Sequence, residues 1–180
     1  MNYEKVDFQC GGPSFEPEKW ELTEKEHDIT NCYSYAFERK EEEGTREDKL
    51  QPGELSGQEF KVYECNEIIN KMMLDHPALK KINSIHEEIP CDHYKIALVL
   101  DKKGENKDYH FYRQDSDGYW SHKTGDNNVT NVDASGNKIS NPELCDRNYD
   151  KEGDDKYYYN IFCGYFSTPY NGGPFKVSEK

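Results

Sequence analysis

Apolar residues fall in short blocks separated by charged stretches. The block Cys32-Tyr33-Ser34-Tyr35-Ala36-Phe37 follows Asp28, Thr30 and Asn31, all good helix N-caps. It predicts a helix that starts at Cys32 and ends near Gly44. Gln51-Pro52-Gly53-Glu54 reads as a turn. Ser56-Gly57-Gln58-Glu59 has the form of a capping box, opening a helix with Phe60, Tyr63, Ile68, Ile69, Met72 and Met73 on one face. That helix should stop before Pro77, and a short helical turn is expected over 78–82. After Pro90 the pattern changes. Residues 94–100 form a near-continuous apolar run of strand length, expected to be central in a sheet. Residues 109–114 and 119–123 read as strands around Asp115-Ser116-Asp117-Gly118, a bulged hairpin with Gly in the left-handed position. Residues 124–156, rich in Asn, Asp and Gly, read as a surface excursion with one short strand at 129–132. The last strand is expected at 157–167. Helices first and an antiparallel sheet afterwards is α+β order. Residues 1–27, with scattered Phe8, Phe15 and Trp20, read as an arm packed through its aromatics. Residues 28–180 are expected to form one domain.

The hydrophobic fraction is 33%, low for a folded chain, but 14 Tyr, 8 Phe and 2 Trp supply large apolar bodies. A formal charge of −13 with no basic stripe argues against nucleic acid and anionic membranes as partners. No apolar run reaches membrane-spanning length, and the N-terminus lacks the pattern of a secretory leader. The expected location is therefore cytoplasmic, or virion-associated. The six cysteines, Cys10, Cys32, Cys65, Cys91, Cys145 and Cys163, make no CxxC pair. In a cytoplasmic setting they are expected to be reduced. Oligomeric state is left open.

The candidate chemistry centres on Cys32. A thiol at a helix N-terminus is favoured as thiolate, and neighbouring groups such as Asn31 and Tyr33 would flank an oxyanion. His110, within a strand, is the candidate base. If Ser116-Asp117-Gly118 is a three-residue loop, Asp115 pairs with Tyr119. His122 then shares the face of His110, one diagonal away, and can orient it. A two-residue loop would shift the register and leave Ser121, Asp126, Asn127 or Asp133 as third member. His27, His76 and His86 read as surface, and His93 as runner-up base. A zinc site from Cys91, His93, His110 and His122 lacks a second close ligand pair. No metal or other cofactor is expected.

Asn31-Cys32-Tyr33-Ser34-Tyr35-Ala36 resembles the Cys-x-x-Tyr-Ala signature of CHAP amidases and the Cys-Trp-Ala-Phe of papain-like proteases. Gln51-Pro52-Gly53-Glu54 resembles the Pro-Gly-Asp turn of CHAP and NlpC/P60 domains. Cys32, His110 and His122 are similar to the Cys-His-His order of NlpC/P60 hydrolases. Residues 31–169 also resemble small uncharacterised proteins of bacteria and giant DNA viruses. The resemblance implies a papain-like core with a helical insert at 56–90. It further implies a cysteine-dependent hydrolase, protease or amidase, acting on a peptide or amide substrate by acyl transfer. Two departures stand out: Glu54 replaces the usual Asp, and Glu26 stands where papain-like enzymes carry Gln. The alternative is a catalytically inactive binding or structural module of the same fold, with Tyr119-Trp120 and Tyr157-Tyr158-Tyr159 as an aromatic binding face.

Overall fold

The computed structural model describes residues 11–170 except 22, 43, 104–106, 126 and 154–155, and only the backbone of His27 and Asp28. Phe8, Cys10 and Asp126 lie outside the described residues. A 3-10 turn at Pro17–Trp20 is followed by three helices, α1 (Glu24–Ile29), α2 (Cys32–Ala36) and α3 (Cys65–Asp75). Six strands follow α3: β1 (Lys80–Ile82), β2 (His93–Asp101), β3 (Asp108–Gln114), β4 (Trp120–Lys123), β5 (Val129–Thr130) and β6 (Ile161–Pro169). They form an antiparallel sheet in the order β1-β6-β2-β3-β4-β5. The fold is α+β, as the order of patterns predicts.

The apolar run at 94–100 is the middle of β2, hydrogen-bonded on both sides by β3 and β6. Its alternation divides the interior in two. Ile96, Leu98 and Leu100 face the helices, where they meet Cys32, Tyr33, Ile68, Met72, Tyr109 and Phe111. Ala97 and Val99 face the other way, against Tyr112, Trp120, Ile139, Tyr159 and Tyr165. The 124–156 stretch, expected as a surface excursion, thus lays Ile139, Cys145 and Tyr149 against the second sheet face.

The helical forecasts need correction. The helix at Cys32 has five residues and does not reach Gly44. Glu38 adopts a left-handed φ of 57°, which turns the chain away. Its carboxylate is held by Arg113, which helps retain that conformation. α1 lies at the end of the expected arm and opens on a full capping box, Thr23 with Glu26. The capping box expected at Ser56 does not form. Ser56 Oγ donates to the Gly53 carbonyl at 2.9 Å, and its N–H donates to Asp75 Oδ1 at 2.8 Å. Gly53, at φ +90°, lets the Gln58 amide reach its carbonyl at 2.7 Å; a Cβ there would lie 2.1 Å from the Gln58 oxygen. The loop stays a loop, so α3 begins only at Cys65, and the 56–90 stretch holds that one helix followed by β1. Residues 80–82, expected as a helical turn, pair with β6 because that strand offers an open edge.

Within the arm, Trp20 packs edge-on against Tyr35 at 4.8 Å, beside Phe15 and Val129, so that part of the aromatic reading holds. The Ser116 amide also donates to the Pro13 carbonyl at 2.8 Å. Arg113, fully buried, donates to Asp115 Oδ1 at 2.8 and 3.0 Å and to the Ser14 carbonyl at 3.1 Å. Its guanidinium lies 4.2 Å from the Tyr35 ring centre.

Candidate functional site

The hairpin register is the one a three-residue loop dictates. Asp115 N–H donates to the Tyr119 carbonyl at 2.8 Å, Gly118 takes a φ of 84°, and Arg113 pairs with Ser121. His110 and His122 consequently meet, with His110 Nε2 2.8 Å from His122 Nδ1. His122 Nε2 lies 2.9 Å from the Val132 carbonyl, which can only accept. The proton of His122 is thus on Nε2, and His110 Nε2–H donates to Nδ1. Both rings are buried, and burial holds both in the neutral form. His122 is lowered to about 4 and His110 well below the usual imidazole value. His110 also lies nearly parallel to Tyr159 at 5.2 Å and edge-on to Tyr112 at 5.0 Å.

Cys32 is on the other side of the sheet. Strand alternation sends Tyr109 and Phe111 toward the helices and His110 and Tyr112 away from them. Cys32 belongs with the first set, next to Phe111, and is 7% exposed. Burial pushes its thiol up to about 12, so it is protonated at neutral pH. A helix of five residues offers little dipole against that cost. The thiol and the imidazole that sequence order brought together are separated by the strand that carries the imidazole.

The flanking residues have structural duties. Asn31 caps α2, accepting from Ser34 N–H at 3.0 Å and donating to the Leu50 carbonyl at 2.7 Å, so it is not poised for an oxyanion. Tyr33 is buried and donates to Asp75 Oδ2 at 2.8 Å. Asp133 accepts from the amides of Ser135, Asn137 and Asp146. Asn127 donates to Thr124 Oγ1 at 3.3 Å. Neither orients His110. His93 bonds Asp92 at 2.9 Å, near the surface. His76, expected at the surface, stacks on Phe37 at 3.7 Å with its Nε2 buried. Trp120 is fully buried, whereas Tyr157 and Tyr158 are exposed, so the expected aromatic face is only partly present. Among the described residues no cluster of His, Cys, Asp or Glu is arranged to hold a metal ion. No helix there is long and apolar enough to cross a membrane.

The cysteines also depart from expectation. Cys65 and Cys163 form a disulfide joining α3 to β6, and Cys91 is disulfide-bonded as well. Cys32 and Cys145 are free thiols. Sequence reading missed the Arg113–Asp115 pair, although an i, i+2 charge pair at a strand end was a usable signal. Tyr159, expected on an exposed aromatic face, is instead buried, and its hydroxyl donates to Asp108 Oδ2 at 2.6 Å.

Insoluble matrix shell protein 1 of Ruditapes philippinarum is 33% identical to the chain over 133 residues, spanning 74% of the chain and 80% of that protein. The chain belongs to this shell-protein family. No family model and no solved structure matches the chain, so the expected papain-like core is without support. Membership overturns the hydrolase reading: the relative is named as an insoluble matrix shell protein, and a buried, protonated Cys32 on the opposite face of β3 from His110 does not favour a nucleophile–base pair. In this family member the imidazoles join β3, β4 and the loop at Val132.

Proposed function

We propose that the chain is a non-catalytic structural module of an insoluble extracellular matrix. The carrying observation is its 33% identity across four fifths of a shell-matrix protein. Three features support the reading. Disulfides such as Cys65–Cys163 persist in oxidising, extracellular settings, which favours that location over the cytoplasm or a virion. The buried polar groups His110, His122 and Arg113 tie strands and loops together. A charge of −13 suits a hydrated matrix that meets cations or basic partners.

Sequential extraction of the source tissue with salt, detergent and denaturant tests this, followed by immunodetection. The chain is expected in the extracellular residue that resists salt and detergent. Full recovery in a cytosolic salt extract would sink the proposal.

A further inference from the structure

The fold by itself gives little reason for insolubility. A charge of −13 opposes self-association. The sheet ends in very short strands, three residues in β1 and two in β5, and β1 presents exposed Lys80 and Lys81. Such edges discourage strand-to-strand assembly. If the chain is a matrix component, as proposed above, it needs another way of being locked in place.

Among the described residues two tyrosines are exposed, Tyr157 at 38% and Tyr158 at 40%. Both sit on fixed backbone. The Tyr157 carbonyl accepts from Tyr149 N–H at 3.0 Å, and Tyr158 N–H donates to Asp101 Oδ2 at 2.8 Å. Tyr158 also forms a bridge with Asn148, so the segment is locally extended. The Tyr157 ring stacks on Tyr159 at 5.8 Å, two residues on. In extended chain that places 157 and 159 on one side and Tyr158 on the other. The two accessible phenols therefore diverge, which disfavours their coupling to each other.

We infer that Tyr157 and Tyr158 form a bivalent oxidative cross-linking site that joins copies of this chain into a covalent network. The oxidant is a haem peroxidase with hydrogen peroxide. Each of two phenols, on different molecules, gives up one electron and its hydroxyl proton to become a phenoxyl radical. The radicals join through ring carbons ortho to oxygen, and the two ring protons shift to the oxygens. One C–C bond forms, two hydrogens are lost in all, and one hydrogen peroxide is reduced to two waters. Two divergent phenols per chain allow extension beyond a dimer.

The test treats purified, disulfide-bonded full-length chain with a haem peroxidase and hydrogen peroxide. Products are read on reducing denaturing gels, by dityrosine fluorescence and by mass mapping of linked peptides. The wild type should give a ladder of oligomers with linkages at 157 and 158. Tyr157→Phe and Tyr158→Phe singly should stop mainly at dimers, and the double variant should lose most of the covalent product. Mapping on the wild type keeps the test independent of how the variants fold. Linkages mapped to other tyrosines, or a full ladder from the double variant, would overturn the inference. So would an absence of cross-links in wild type, even with the chain found in the insoluble matrix. A cytosolic chain that still cross-links at these residues would overturn the matrix assignment alone.

Discussion

A cysteine's chemistry is set by its surroundings. Cys32 and Cys145 are both pushed up to about 12 by burial. Native protein near neutral pH should therefore take up iodoacetamide slowly at both thiols and rapidly only in denaturant; fast native labelling of Cys32 would contradict its burial. The histidines give a sharper readout. His76 and His122 are each lowered to about 4, chiefly by burial, and His110 moves the same way. An unfolded imidazole titrates near 6.5, so between about 6.5 and 4 the unfolded chain binds more protons. Stability contributed by these neutral rings is complete above about pH 6.5 and falls as pH drops through that window. His76→Phe should preserve the stack on Phe37 and flatten the acid limb by roughly 2–3 kcal/mol, measured by urea unfolding from pH 7 to pH 4.

Elements here are held by a few polar hubs more than by local propensity. Asp75, the last residue of α3, accepts from Tyr33 Oη, Gly53 N–H and Ser56 N–H. It fixes α2 and the 51–57 loop to α3. Asp75→Ala should cost about 2–3 kcal/mol in urea unfolding, because three donors lose a charged acceptor. The Cys65–Cys163 bond closes a separation of 98 residues. Loop-closure entropy gives it roughly 3–5 kcal/mol, so Cys163→Ser should lower the denaturation midpoint accordingly. These hubs also explain which elements were legible. β2, β3 and β4 follow from their own patterns, since alternation and turn chemistry are local. The Ser56 box was a local signal that lost to Asp75, nineteen residues away. β1 looked helical because its pairing partner, β6, lies more than eighty residues downstream.

At the scale of the molecule, net charge and covalent ties govern behaviour. With a sequence pI near 4.9, the disulfide-bonded chain should show its weakest mutual repulsion near that pH. Light scattering on a pH series should show association rising toward pH 5 and falling again at pH 7. The sequence by itself determined the α+β order, the central strand and the hairpin with its Gly turn, and it narrowed the register to two, one of which brings His110 and His122 together. Each of these depends on neighbours along the chain or on a period of two. Tertiary structure decided which sheet face the helices cover, and so put Cys32 and His110 on opposite sides of β3. It also decided that the chain turns away at Glu38, just past the end of α2, and that Cys65 finds Cys163. Those outcomes rest on contacts between segments far apart in sequence, where no local pattern carries the answer.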